Sequence, residues 1–339
     1  MALAHDSLEG SEDKAGLDVF DQMDAIEDVF RAAGIGAYRL PVSLDLRSFK
    51  DRLCGERPGL VFNLVESLDG SDRLQTVAPL VLEDWRIPFT GCGSAAMLLS
   101  NHKIKSKVRL AAAGLPVPGC AWLDAGGELR FLSGYEGAGE GGDWIVKALE
   151  SHASMFLDDS SVLRGPARDD LAKKVSEASV RSGQAFFAER FVDGREFNLS
   201  VVETAEGEPE VLPPAEIRFD GLSPGRPRIV GYAAKWEERS EEYQATPRSF
   251  AFSTGDGALL SRLRELAVGA WRALDLSGYA RVDFRVDAMG GPCILEVNTN
   301  PCLTPDAGLA AAAEQAGMSY ADLVFRIAWA GLRRGGRVD

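Results

Sequence analysis

The chain reads as an α/β protein of two or three units, and three observations predict it. Its 339 residues are enough for two or three domains at about 150 residues each. Apolar runs of strand length alternate with stretches of helical spacing from one end to the other. Near the C-terminal end, residues 281–300 form two alternating strands around Gly290-Gly291, a hairpin signature.

The elements are taken in chain order. Residues 1–4 are a short apolar start, read as a shortened first strand. Val19, Met23, Ile26, Val29 and Phe30 carry helical spacing over 18–33, and Gly34 closes that helix. Residues 60–65 are a buried-strand run and 74–85 a helix, completing a unit over 1–88. A second unit, 89–185, has a helix over 103–113 ended by Gly114 and Pro116. Strands at 119–123 and 129–131 flank Gly126-Gly127. A Gly-rich turn, read as mobile, spans 134–142, before a strand at 144–148 and a helix at 169–182. The third unit, 186–339, opens with strands at 186–191 and 197–203. Residues 217–249 are rich in Pro, Gly and charge with little periodicity, which reads as a lid. A helix over 258–274, the hairpin and a last helix over 320–333 complete the chain.

Composition narrows the function. Lys plus Arg number 37 against 51 for Asp plus Glu, a net charge of −14. That balance opposes binding to nucleic acid or to an anionic membrane. The five cysteines are scattered without CxxC spacing and there are three histidines, so a disulfide framework or a His/Cys metal site is not expected. No apolar run approaches the roughly 18 residues that span a bilayer, and no signal peptide is evident; a cytoplasmic location is the expectation.

The hairpin carries the chemistry. Side chains alternate faces along a strand, so Val282, Phe284 and Val286 share one face and Arg281, Asp283 and Arg285 the other. Glu296 and Asn298 project together from the second strand. Two carboxylates, a carboxamide and a cation can meet on one side, a donor set suited to Mg2+ with substrate phosphates.

The segment resembles the metal-binding end of ATP-grasp enzymes, specifically D-alanine–D-alanine ligases, in which an R-x-D hairpin leads to L-E-x-N-T-x-P-G-M-T. Other motifs of that family are met in its order. Ile87-Pro-Phe-Thr-Gly-Cys-Gly is similar to I-P-Y-T-G-S-G, and Asn101-His-Lys-Ile-Lys-Ser-Lys to M-D-K-x-x-x-K. Trp144-Ile-Val-Lys147 resembles the V-V-K-P strand, Ala188-Glu-Arg-Phe-Val-Asp-Gly-Arg-Glu196 the E-x-x-x-x-G-x-E hinge, and Tyr232-Ala-Ala-Lys235-Trp the Y-x-x-K-Y loop. The resemblance implies a three-domain ATP-grasp fold, α/β in class, with a Rossmann-like N-terminal domain at 1–88. The ATP-grasp subdomains would lie at 89–185 and 186–339, with 217–249 as the lid. It implies an ATP-dependent carboxylate–amine ligase acting on amino acids or peptides, with a homodimer as an open possibility.

The resemblance also implies roles. Lys103 and Lys147 would contact the ATP phosphates; the residues alone also allow Lys103 to be a solvated helix lysine, since Lys105 and Lys107 flank it. Glu189 would accept from the adenine amino group, the backbone of Arg190 and Val192 would read its edge, and Glu196 would bind the ribose. Asp283, Glu296 and Asn298 would hold two Mg2+ ions, a role Mn2+ could also fill, with Glu296 shared. Arg281 would stabilise the tetrahedral intermediate, Lys235 would sit on the lid over the phosphates, and Ser154 would belong to the phosphate loop. The departures bear on phosphate grip and substrate. Phe156 and Cys302 stand where glycine is usual, Pro305-Asp306-Ala307 replaces a serine-containing stretch, Asn101-His102 replaces Met-Asp, and H-G-x-x-G-E-D-G is absent around residue 65. Asp306 is expected to add negative charge beside the second substrate. Gly91-Cys-Gly-Ser-Ala-Ala96 imitates a dinucleotide fingerprint but comes after no proper first strand.

Overall fold

The computed structural model describes residues 1–7, 14–132, 141–151, 154, 156–237 and 239–335. Most of the expected Gly-rich turn at 134–142, together with His152, Ala153, Met155 and the Trp236 side chain, lies outside the described residues.

Three sheets succeed one another along the chain. The first is parallel, in the order β2-β1-β3, from β1 (Ala2–Asp6), β2 (Tyr38–Val42) and β3 (Val61–Asn63). The expected shortened strand is a full central strand of five residues, as long as β2 and buried throughout. Helix α1 (Lys14–Ala32) lays Val19, Met23, Ile26 and Phe30 on Leu3 and Phe62. Gly34, at φ +73°, supplies the left-handed residue that stops it. Helix α2 (Leu46–Glu56) was not evident in the sequence because its apolar stripe is narrow: Phe49 and Leu53 alone are buried.

The central sheet is antiparallel, in the order β5-β4-β8-β6-β7, from β4 (Cys120–Leu123), β5 (Leu129–Phe131), β6 (Trp144–Ala148), β7 (Val162–Leu163) and β8 (Phe186–Arg190). The strand at 186–190, expected in the third unit, belongs here instead: it pairs with β4 on one side and β6 on the other. Sheet membership is set by pairing partners, which periodicity along one strand does not reveal. Helices α3 (Val77–Asp84), α4 (Ser94–Asn101) and α5 (Lys103–Ala112) precede the sheet, and α6 (Arg168–Ser182) packs on it through Leu171, Val175 and Ala178.

The third sheet runs β12-β11-β9-β13-β14, with β10 also on β9. Its strands are β9 (Arg195–Glu203), β10 (Pro209–Val211), β11 (Ala215–Ile217), β12 (Arg248–Ser249), β13 (Tyr279–Val286) and β14 (Pro292–Asn298). The segment expected to lack structure carries the short helices α7 (Tyr232–Trp236) and α8 (Glu241–Gln244), and its ends join the sheet as β11 and β12. Helix α9 (Gly257–Ala273) covers the sheet through Leu263, Leu266, Ala267 and Ala270. The chain ends with α10 (Gly308–Gln315) and α11 (Tyr320–Gly335). Phe325 of α11 meets Phe30 of α1 at 5.9 Å between ring centroids, so the last helix shares a core with the first.

Helix α5 bridges the second and third sheets. Ile104 and Leu110 share one core with Phe187 of the central sheet and Phe197, Ile294 and Val297 of the third. The helix therefore stands between the two sheets, with Lys103, Ser106 and Lys107 buried and Lys105 and Arg109 exposed.

Candidate active site

The hairpin sets the centre of the site. β13 and β14 pair Asp283 with Glu296 and Arg281 with Asn298, so the oxygens expected to hold a metal do meet across one face. Val282, Phe284 and Val286 are buried on the other. The register slips after Asp283: Phe284 faces Ile294, and Leu295 is the extra residue of a β-bulge. The bulge lets Glu296 keep the same face as Asp283.

Asp283 is held from two sides. Arg281 Nε and Nη2 donate to its Oδ1 and Oδ2 at 2.7 and 2.8 Å. Asn198 Nδ2, from the neighbouring β9, donates to Oδ1 at 2.7 Å. Burial alone would lower the Arg281 pKa; the ion pair with Asp283 reverses it, and the net direction is upward. Asn198 was not singled out in the sequence, since nothing along the chain marks a residue whose role comes from the adjacent strand. Asn298 Oδ1 accepts from the Asn300 backbone at 2.9 Å.

Lysines surround this face. Lys103 Nζ lies 3.8 Å from Glu296 Oε2 and also donates to the Ser151 carbonyl. Burial lowers its pKa, and Glu296 opposes that. Lys235, half-buried on α7, is shifted the same way by burial, with Glu296 again the main opposing charge. Lys147 Nζ reaches Glu189 Oε1 at 2.7 Å. The reading of Lys103 as a solvated helix lysine does not hold, since Lys103 is buried, and so is Lys107, which is 1% exposed with its Nζ 2.5 Å from Glu189 Oε2. The spacing of four from Lys103, which puts both on one helix face, was the available signal.

Glu189 is therefore enclosed between two ammonium groups. Burial would raise its pKa, but Lys107 and Lys147 outweigh it and the net direction is downward. The Arg190 backbone N–H donates to Gly119 O at 2.8 Å. Among the described residues none hydrogen-bonds the Val192 backbone. The Arg190 side chain turns away, its guanidinium over the Trp144 ring. Glu196 is buried and paired with Arg285 Nη2 at 2.6 Å. A cavity of about 780 Å³ opens next to this hinge, lined by Asp193, Gly194 and Arg195 and by residues 216–226. Asp283, Glu296 and Asn298 do not line it.

The segments expected to be the phosphate loop and the lid are hydrogen-bonded to each other. Ser154 Oγ donates to Val230 O at 3.1 Å, and Tyr232 N to Leu157 O at 3.2 Å. A side chain at position 231 would put its Cβ 2.5 Å from Leu157 O, so this approach requires Gly231. Ser154 and Phe156 sit at φ +55° and +62°, each at a cost of about 1 kcal/mol or more. Phe156 thus takes the conformation that the usual glycine would take, with its ring 6.2 Å from Phe186.

Beyond Asn298 the chain is tied to the N-terminal unit. Asn300 Nδ2 donates to Val65 O at 3.1 Å, Leu303 N to Gln22 Oε1 at 2.9 Å, and Cys302 Sγ to Asp18 Oδ2 at 2.9 Å. Gln22 Nε2 also binds Glu66 Oε1 at 3.0 Å. Burial pushes the Glu66 carboxyl up to about 8 and raises Asp18 as well. Asp306 is exposed and held through its carbonyl by Arg248. Asp18 and Glu66, not Asp306, are the carboxyl groups near Cys302, and a Glu66 carboxyl at about 8 is uncharged at neutral pH. Gly91, at φ +86°, forms the turn ahead of α4 beside Tyr279, not a nucleotide-phosphate loop after a first strand.

The donor set fits Mg2+ with nucleotide phosphates. Among the described residues no three His, Cys, Asp or Glu side chains converge, so the protein offers two carboxylates and a carboxamide, and the remaining positions would fall to phosphate oxygens and water. No helix among the described residues is long and apolar enough to cross a membrane.

Comparisons with known proteins give the family. The family model described as D-ala D-ala ligase C-terminus matches residues 160–328. A D-alanine–D-alanine ligase of Methylococcus capsulatus is 30% identical over 89% of this chain and 87% of its own. One from Synechococcus sp. is 33% identical over 75% of this chain and 71% of its own. The crystal structure of the Bacillus anthracis D-alanine–D-alanine ligase complexed with ATP superposes with a TM-score of 0.73 at 18% identity, covering 99% of both chains.

Proposed function

We propose a reaction from one premise: this chain belongs to the D-alanine–D-alanine ligase family and is an ATP-grasp ligase. The reaction joins the carboxylate of one amino acid or peptide to the amine of another, at the cost of ATP. The carrying observation is the register of the hairpin, which sets Asp283 against Glu296 and Arg281 against Asn298 with Lys103 beside them.

In this reading the Arg190 carbonyl, the Val192 backbone and Glu189 hold the adenine, and Glu196 the ribose. Lys103, Lys147 and Lys235 face the phosphates. Two Mg2+ ions held by Asp283, Glu296 and Asn298 would neutralise charge on the terminal phosphates. The substrate carboxylate takes the γ-phosphoryl group, releasing ADP and leaving an acyl phosphate. The second substrate's amine attacks the acyl carbon, and Arg281 stabilises the oxyanion of the tetrahedral intermediate. Phosphate leaves, the nitrogen gives up its proton, and an amide remains. The lid around Lys235, fastened to the loop at Ser154, excludes water while the acyl phosphate exists.

Asp18 and Glu66 shape the substrate side. A cationic group entering near Cys302 would draw the proton from Glu66 and gain a charged partner, whereas a second carboxylate would gain none, so the pocket favours an ammonium over a carboxylate. D-Alanine is then not the preferred substrate at both positions, and a basic amino acid or an amine-terminated peptide suits the pocket better. The test is a phosphate-release screen over pairs of D- and L-amino acids with Mg-ATP. Release above background for at least one pair is expected. No release for any pair removes the ligase reading, and D-alanine as the best substrate at both positions removes the substrate reading.

A further inference from the structure

We infer that Lys107 is a positioning residue that couples nucleotide-base recognition to the metal-binding strand, an inference that rests on the proposed ligase function. Its ammonium has two partners in two different sheets. It lies 2.5 Å from Glu189 Oε2 in the central sheet and donates to the Leu295 carbonyl at 2.6 Å in the third. Leu295 is the bulged residue of β14, passed over in the register with β13 at the edge of the sheet. The next residue is Glu296. One turn earlier on α5, Lys103 meets the Glu296 carboxylate itself. Two lysines four residues apart therefore grip consecutive residues of the strand that carries the shared metal ligand.

Stability gives little reason for an ammonium here. Lys107 and Glu189 are each 1% exposed, and desolvating such a pair consumes most of its Coulombic gain; a well-packed apolar side chain commonly serves as well. What a charged donor adds is location. It fixes the carbonyl of the bulged residue and so the direction in which Glu296 leaves the bulge. It also holds one oxygen of Glu189 while Lys147 holds the other, which orients that carboxylate toward a base. Groups that orient metal ligands without touching the ion govern affinity strongly.

The experiment compares wild type with Lys107→Met, which keeps length and packing and removes the donor. Mn2+ binding to the ADP complex is monitored by electron paramagnetic resonance, metal-free ADP binding by calorimetry, and the fold by thermal melting. Lys107→Met is expected to weaken Mn2+ binding about 10–100-fold and to weaken ADP binding as well. Mn2+ affinity within twofold of wild type in a folded variant overturns the inference. If Lys107→Met does not fold, the Lys107 15Nζ resonance of wild type decides. A shift on adding ADP with Mg2+ supports the coupling, and an unchanged resonance overturns it. Neither arm requires turnover, so a wild type that binds no ADP with Mn2+ refutes the ligase reading itself.

Discussion

Arg281 and Asp283, two residues apart on the same face of β13, form a two-pronged ion pair with Nε to Oδ1 at 2.7 Å and Nη2 to Oδ2 at 2.8 Å. The arginine assigned to the oxyanion and the carboxylate assigned to the metal thus hold each other in place. A flexible point charge cannot reproduce that fork.

Arg281→Lys is therefore expected to lower kcat by about 10²–10³-fold, the range seen on removing an oxyanion donor. The KM for ATP should stay within a few-fold, because the adenine hinge is elsewhere. Steady-state kinetics with the best substrate pair checks this. An unchanged kcat removes Arg281 from the chemistry.

Glu296→Gln is expected to abolish turnover while metal-free ADP binding is largely kept. The charge of the shared ligand matters most as the phosphoryl group moves, whereas the base is read by Glu189, Arg190 and Val192. Calorimetry with ADP alongside phosphate release separates the two effects. Full activity in the variant would refute the metal assignment.

The lid makes a prediction about access. Ser154→Ala removes the hydrogen bond to Val230 O and leaves Tyr232 N on Leu157 O and the Arg226–Asp159 ion pair. Limited proteolysis within 218–248 should be faster in this variant than in wild type. Mg-ATP with substrate should slow it in both. Identical cutting rates under all four conditions would count against a lid fastened at Ser154.

Glu66 predicts a pH dependence of stability. Its carboxyl lies at about 8 in the folded protein, raised by burial, against about 4.3 in an unfolded chain. Between those values the folded state binds more protons than the unfolded, so stability falls as pH rises through this window, by an amount on the order of a few kcal/mol. Glu66→Gln should flatten the slope and stabilise the protein at pH 8. Melting temperatures from pH 5 to 8 measure it; equal slopes in wild type and variant would show that Glu66 is not the group responsible.

The sequence by itself determined the hairpin and its two faces, because strand alternation with a Gly290-Gly291 turn leaves Asp283, Glu296 and Asn298 no other common side. It also determined α1, α5, α6, α9 and α11 from their apolar spacing, and the family from motifs met in order. The tertiary structure decided the rest. Lys107 reads as a surface lysine until a bulge in β14, nearly 190 residues away in sequence, turns a carbonyl toward it. Strand β8 joins the central sheet because its partners are there, and Asn198 matters because β9 lies beside β13. Asp18 and Glu66, both near the N-terminus, are joined to the chain beyond Asn298 by tertiary contacts, Asp18 with Cys302 and Glu66 through Gln22, which also holds Leu303 N. Periodicity records which way a side chain faces within its own element; what it faces is set by long-range pairing and burial, which no local pattern encodes.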